Sequence, residues 1–592
     1  MSRRLSACKA KVLNMAVDKT TANIKEVNLE DCKDCTKGPF MDYADTNYFS
    51  KIVLDYLNGA PALRSFYAHY PDKSGLASAL RLKEGFPVQN RKTLVENLRR
   101  HYGDGPHPDN NVDRPVLQSY PKVQANIEAL LSENTFSITT AHQPNIFGGP
   151  LYLIYKILHV IQLAEELNVQ YKEQGKYFVP FYYMGSEDAD LEEIGQMQVN
   201  GKRYIWQTDQ TGPVGRMKVD KPLLGLIDEL SGQIGVEVYG PEFIQLLKDA
   251  YQPGRLIQEA TFAFIHQLFG RYGLLILMPD DRKLKERFEP VVLKELATGF
   301  SHKAVEKTSA AIKKAGYKVQ THGRPINLFY QQGNHRERII KENELFYIEG
   351  QESPKTWTEI EQEVKEKADL FSGNVVLRGP FQETILPDIA FVGGGGELAY
   401  WLEMKGVYEA IDLPYPVLLL RNSFMLIGQK EKALMDKLGL QPITLFKPLH
   451  VIQDTLLQKM GAAIDLDNEL MALEAIYEKM GQKATIVDTT LSVHTKAIGT
   501  IAKNKASRLL TKMKTAQRKK LAIETRQIKK LKEKLFPADS LQERTENIAG
   551  FYAQYGSAIL DLIKTASQTT RQQFGIVYLP EPAQWDRQDM VI

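Results

Sequence analysis

Ser137–Lys156 reads SITTAHQPNIFGGPLYLIYK, and this stretch decides the fold class. The β-prone run Phe136–Thr140 meets a short polar loop carrying His142, Gln143, Asn145, Gly148, Gly149 and Pro150. Apolar residues then recur at Leu151, Ile154, Tyr155, Leu158, Ile161 and Ala164, the spacing of an amphipathic helix. Strand, glycine-bearing loop and helix in that order aim loop amides and a helix N-terminus at a ligand's negative charge. The glycines allow close backbone approach, and Pro150 suits the start of the helix. His142 can donate to a phosphate or carry a proton, and Tyr152 and Lys156 join it as binding candidates. The bland alternative is a loop histidine held by the fold.

The same grammar continues downstream. Tyr177–Met184 (YFVPFYYM) and Arg271–Met278 (RYGLLILM) read as buried strands. Val375–Leu377 and Val417–Leu420 (VLLL) are further short apolar runs in the returning α/β pattern. Strands alternating with helices imply an α/β fold with a mostly parallel sheet. Val199–Val219 reads as β-hairpins turning at Thr211-Gly212-Pro213, and Gln320–Thr356 as antiparallel strands, so the sheet is expected to carry insertions. The expected organisation is an extension (1–40), a helical part of the core (41–133), core segments (134–198, 261–318, 371–450), insertions (199–260, 319–370), a coiled-coil region (451–566) and a tail returning to the core (567–592).

Beyond Pro448, Leu466, Leu470, Leu473, Tyr477, Met480, Ala484, Val487, Leu491, His494, Ile498 and Ile501 alternate in steps of four and three. That is a coiled-coil seam. Gly481 and Asp488-Thr489-Thr490 are expected to divide it into two helices, the second reaching about Leu535 and stopping at Pro537. A last helix over Leu541–Ala566 and a strand over Ile576–Leu579 complete the reading.

Composition excludes several classes. The chain has 592 residues, 43% hydrophobic and 25% charged, with net charge +3. That is an ordinary multi-domain globular composition without a global nucleic-acid or membrane character. No apolar run approaches the roughly 18 residues that span a bilayer. The basic start lacks the apolar core of a secretory signal. Lys496–Lys534 holds eleven Lys and three Arg against two Glu, but no aromatic residue interleaves for base stacking, so it reads as a solvated helix face. The three cysteines, Cys8, Cys32 and Cys35, suit a reducing cytoplasm. Cys32 and Cys35 form a lone CxxC without a second ligand pair, and no metal site is assigned.

Three more segments can carry chemistry. Ser186-Glu187-Asp188-Ala189-Asp190-Leu191-Glu192-Glu193 follows YFVPFYYM, where a parallel strand would end and ligands collect. Glu187, Asp188 and Asp190 can hold an ammonium, a sugar hydroxyl or Mg²⁺, or simply favour the next helix N-terminus. The run from Arg378 through Gln382 and Asp388 to Gly393-Gly394-Gly395-Gly396-Glu397-Leu398-Ala399-Tyr400-Trp401 offers a guanidinium for a carboxylate or phosphate and exposed amides for an anion. It matches neither a P-loop nor GxGxxG. Arg421-Asn422-Ser423 falls at the end of VLLL.

Together HQPNIFGGPLYLIYK, SEDADLEE, RGPFQETILPDIAFVGGGGELAYW and LPYPVLLLRNS resemble the cysteine ligases of bacillithiol biosynthesis, in order, from about Asp42 to the end. The resemblance implies a Rossmann-like, nucleotidyltransferase-like core with connecting-peptide insertions and a C-terminal coiled coil forming a homodimer. It implies joining L-cysteine to the amine of glucosaminyl-malate, which yields bacillithiol. ATP with Mg²⁺ would suit such a fold and reaction. The family often carries Gln where this chain has His142, so hydrogen bonding rather than proton transfer is expected there. On that reading Gln143–Gly149, Lys156 and Arg421 face phosphate, Glu187 or Asp188 takes the amine's proton, and Arg378 holds malate carboxylates. Two other classes compete: a nucleotidyltransferase-like or tRNA-synthetase-like enzyme on another substrate, weakened by the absence of HIGH and KMSKS, and a non-catalytic coiled-coil scaffold.

Overall fold

The computed structural model describes residues 40–103, 120–321 and 323–582. The three cysteines and nearly all of the loop GDGPHPDNNVDRP lie outside these residues. Five parallel strands make the central sheet: β1 (Thr135–His142), β2 (Tyr177–Met184), β3 (Leu275–Leu277), β4 (Asp388–Gly393) and β5 (Val417–Leu420). Their spatial order is β5-β4-β1-β2-β3. The order reverses between β1 and β4, which makes a crevice at their C-terminal ends.

Burial explains why these strands read as unbroken apolar runs. Every residue of β3, β4 and β5 is buried, as are all of β1 except His142 and all of β2 except Tyr177. Parallel strands covered on both faces lose the in–out alternation. β3 is shorter than Arg271–Met278, because Gly270–Tyr272 forms a 3₁₀ turn that ends at Gly273 with positive φ.

Helix α1 (Leu151–Gln170) covers the sheet next to β1 and β2. It is more buried than a one-sided amphipathic helix, with Leu153, Ile157, Val160 and Leu163 also sequestered. Its other side meets the C-terminal helices Gln542–Thr545 and Ala558–Ala566. Each of its fully buried Leu and Ile side chains contributes about 1.5–3 kcal/mol.

Several expectations are corrected. Val375–Leu377 opens a helix, α2 (Val375–Ile385), which includes Arg378-Gly379-Pro380. Asn374 caps it by accepting the Val376 N–H at 2.9 Å. The hairpin is Gln196–Val199 against Lys202–Ile205, turning at Asn200-Gly201, while Thr211-Gly212-Pro213 precedes a 3₁₀ turn. The region from Gln320 is antiparallel as expected, with Leu328–Gln332, His335–Glu342 and Leu345–Ile348, and Phe371–Gly373 adds a fourth strand.

Glycine-initiated helix α3 (Gly395–Trp401) follows β4. Helices α4 (Asp467–Val487) and α5 (Thr489–Lys519) form a hairpin, and α6 (Ala522–Leu535) continues from it. α4 runs through Gly481 and breaks only at Asp488, whose carboxylate accepts the Thr490 N–H at 2.7 Å. A second break at Lys520-Leu521 separates α5 from α6. The single helix expected over Leu541–Ala566 is three short ones, divided at Glu546–Ile548 and at Gly556, whose φ is +60°. Phe574–Tyr578 pairs in parallel with Phe424–Ile427 rather than with the central sheet.

Candidate functional site

A cavity of about 540 Å³ opens at the crevice between β1 and β4. It gathers residues from each segment singled out in the sequence: His142, Gln143, Tyr152 and Lys156; Glu187 and Asp188; Arg378; Gly394, Gly395, Glu397 and Tyr400; and Arg421.

The turn after β1 is held by the protein itself. The amides of Gly148 and Gly149 donate to the carbonyls of Asn145 (3.3 Å) and Ile146 (3.0 Å). The Phe147 N–H donates to the Tyr251 hydroxyl at 2.9 Å, and the Leu151 N–H to the Glu546 carbonyl at 2.8 Å. The Asn547 amide donates to the carbonyls of Phe147 and Gly149. Asn145, Gly148 and Gly149 therefore lie outside the cavity wall, and the amides expected to cradle phosphate are occupied. Gly149 has φ +59° and ψ −155°, a conformation open only to glycine, and a Cβ there would sit 2.7 Å from Asn145 Cβ.

His142 ends β1 with its ring edge-on to Tyr152, centroids 5.1 Å apart. Burial, reinforced by the charges of Lys156, Arg421 and Arg378, holds its pKa well below the ordinary value, so it is neutral. Its Nε2 is buried without a partner. Lys156 donates to the Ala141 carbonyl at 2.9 Å and pairs with Glu397. Burial lowers its pKa, and Glu397 opposes that shift. Glu397 also accepts the Gly394 N–H at 2.8 Å, tying the turn after β4 to α1. Arg421 pairs with buried Glu543 at 2.7 Å and lies over the Tyr152 ring at 5.4 Å.

The acidic segment divides by role. Asp188 accepts from Gln143 Nε2 at 3.1 Å and faces the cavity. Glu187 pairs with buried Lys285 at 2.7 Å, and Lys285 with Asp280 at 2.9 Å. Arg216 grips Asp280 at 2.7 and 3.0 Å. Asp190 caps the short helix Leu191–Ile194 by accepting the Glu193 N–H at 3.1 Å, the helix-start role weighed against catalysis. Ser186 is buried behind the wall, against Gly215.

Others of the sequence candidates stand in the scaffold. Asp388 begins β4, at the end of the strand away from Gly393, and accepts from Ser137 (3.1 Å) and Thr139 (2.8 Å). Burial and neighbouring Glu383 raise its pKa well above the carboxylate range. Gln382 is buried against Glu383. Trp401 stacks on Phe391 with centroids 4.5 Å apart. Asn422 receives nothing from the cavity: its N–H donates to His159 Nδ1 and its amide to the Gln568 carbonyl. Ser423 donates to Glu543 at 3.1 Å.

Sequence reasoning missed Tyr183, Glu193, Phe329, Arg336, Asn374 and Arg544 on the wall. Glu193 lay within the acidic run, and burial with Asp190 and Asp188 raises its pKa. Arg336 had no signal, since a polar residue in an antiparallel strand ordinarily faces water.

Comparison with known proteins agrees with this architecture. Residues 40–422 match the N-terminal Rossmann-like domain of bacillithiol biosynthesis BshC, and residues 424–579 match its C-terminal coiled-coil domain. "Putative cysteine ligase BshC" of Flavobacterium johnsoniae is 33% identical over 91% of this chain and 99% of its own. The protein of the same name from Christiangramia forsetii is 34% identical over 91% and 98%, and that from Cytophaga hutchinsonii 34% over 89% and 96%. A sheet with a reversal crevice, a helical hairpin after it, and family matches to both parts lead to one statement: the chain belongs to the BshC family of bacillithiol biosynthesis.

Proposed function

We propose that this chain is a ligase that joins the carboxyl of L-cysteine to the amine of glucosaminyl-malate, producing bacillithiol in the cytoplasm. The observation that carries the reading is the switch-point cavity, where Asp188 and Glu193 meet Lys156, Arg378 and Arg421. A carboxylate pair suits an amine, and guanidiniums suit carboxylates. The reaction forms a C–N bond and expels an oxygen of the cysteine carboxyl, and the amine must shed a proton. Asp188, oriented by Gln143, receives that proton. Glu187 pairs with Lys285 and fixes the acidic loop. Neutral His142 offers hydrogen bonding rather than a proton.

ATP, carrying its own Mg²⁺, is the proposed occupant of the turn after β4. Gly394–Gly396 line the cavity, Gly396 faces open space, and the first-turn amides of α3 lack intrahelical acceptors. When bound, the nucleotide would supply a good leaving group for the cysteine carboxyl, with Lys156 beside it.

A second copy is the proposed partner of the α4–α5 hairpin. Neither helix has a buried residue, and Ile476, Met480, Leu491, Ile498 and Ile501 are exposed along it. Such a row in water is the mark of an association surface. Sedimentation of the wild type as a dimer, and of an Ile498→Glu/Ile501→Glu variant as a monomer, is the expected result.

The deciding assay combines full-length protein, cysteine and glucosaminyl-malate, with and without ATP and Mg²⁺. Bacillithiol is expected by mass spectrometry, with a loss of about two orders of magnitude in rate for Asp188→Ala. Absence of product under every condition overturns the reading, and absence of any thermal stabilisation by the three ligands favours a scaffold.

A further inference from the structure

The cations on the cavity wall differ in whether the protein neutralises them. Lys156 has Glu397 and Arg421 has Glu543. Among the described residues, Arg336, Arg378 and Arg544 form no ion pair with a carboxylate; Arg544 is exposed to water, whereas Arg336 and Arg378 are partly buried. Arg336 reaches the cavity from the inserted strand His335–Glu342. Its guanidinium lies over the Phe329 ring, 3.9 Å from the centroid. One nitrogen donates to the Gly373 carbonyl at 3.2 Å and the Ser372 hydroxyl at 3.4 Å, and Nε is buried without an acceptor. Arg378 reaches the same cavity from α2, donating to Gln382 (3.4 Å) and the Tyr400 hydroxyl (3.2 Å). Tyr183 and Phe391 flank it at 5.6 and 5.7 Å.

Every acceptor these two side chains find is neutral. A guanidinium stays charged at any ordinary pH; Glu187, Asp188 and Asp280 attract Arg336 and Glu397 attracts Arg378 through space, but none closes a contact ion pair, so both partly buried groups keep donor capacity. Two such groups line the same cavity, Arg336 stacked on Phe329 and Arg378 flanked by Tyr183 and Phe391, and they leave planar donor edges for anions. We propose that Arg336 and Arg378 form a two-point subsite for a dicarboxylate, with one arm supplied by the inserted antiparallel sheet. The proposal rests on the function above, and assigns the malate part of the acceptor to both arginines. A diphosphate is the competing occupant, and the test separates the two.

Calorimetry on the full-length protein tests this directly with L-malate, lactate and inorganic pyrophosphate. Malate is expected to bind about tenfold or more tighter than lactate, whose single carboxylate engages one arm. Arg336→Gln should weaken malate by about tenfold or more and leave lactate little changed, with Arg336→Lys in between. In turnover, Arg336→Gln should raise KM for glucosaminyl-malate and leave kcat nearly unaltered. Equal affinity for malate and lactate, or an unchanged malate affinity in a folded Arg336→Gln protein, overturns the subsite. Arginine-dependent binding of pyrophosphate but not malate overturns it as well, by giving the pair to phosphate. Should Arg336→Gln fail to fold, the malate-to-lactate ratio of the wild type and of Arg336→Lys decides. Malate binding is read without ligation, so a protein that binds malate through Arg336 yet makes no bacillithiol refutes the proposed function and leaves this subsite standing.

Discussion

Two glycine-bearing turns leave adjacent strands of the sheet, one after β1 and one after β4, and they are built to opposite ends. After β1, the amides of Phe147, Gly148, Gly149 and Leu151 all end on protein acceptors, and Asn547 and Tyr251 clamp the loop from outside. After β4, Gly394–Gly396 form the cavity wall, and a Cβ at Gly396 would meet nothing within 4 Å. The same residue type serves closure in the first turn and access in the second. What separates them is whether another part of the chain has already taken the backbone groups.

Substitutions can break or sharpen that contrast. Gly149→Ala carries the largest expected effect, because it combines a glycine-only conformation with a 2.7 Å clash. Chemical denaturation should show a loss of about 3 kcal/mol. Asn547→Ala removes both donors to the first turn, and the same measurement should show about 2 kcal/mol. A change near zero in either variant would mean that the first turn is not held by its clamp.

The pH dependence of stability probes the junction of strand and turn. His142 is held neutral by burial, so its folded pKa lies below its unfolded value. Above the unfolded value of about 6.5 it contributes no pH dependence. As pH falls below that, the unfolded chain binds a proton that the folded one does not, and stability declines by up to about 1.4 kcal/mol per unit. His142→Gln should lessen that slope in denaturation series between pH 7 and 5, and His159, pushed down to about 4 by burial, should retain its own share. The smallest effect is expected at Gly396→Ala, within about 0.5 kcal/mol of the wild type in stability. An altered nucleotide KM in that stable protein would place a ligand at the second turn.

Much of this was legible because it is local. β1, β2 and β5 were readable as apolar runs, the helix after β1 as a period, and the break at Asp488 as a cap. One failure was local and the others were not. Val375–Leu377 is apolar enough for a strand, but Asn374 caps it into a helix. Gly148 and Gly149 carry an anion-loop signature, but their amides turn back on Asn145 and Ile146, and Glu546 and Asn547, some four hundred residues later, fix the loop by accepting the Leu151 amide and donating to the carbonyls of Phe147 and Gly149. Asp388 stood among the binding candidates, yet it lies at the end of β4 away from Gly393 and the cavity.

By itself the sequence determined the α/β class, the parallel sheet with its insertions, the helical hairpin, and the segments that meet at the cavity. Periodicity and turn chemistry act within a few residues, so they can be read in order along the chain. Tertiary structure alone decided which polar groups remain available. Lys156 and Arg421 are neutralised by carboxylates far away in the chain, whereas Arg336 and Arg378 meet only neutral hydrogen-bond acceptors. Desolvation and pairing depend on what folds against a residue, and that information has no local signature.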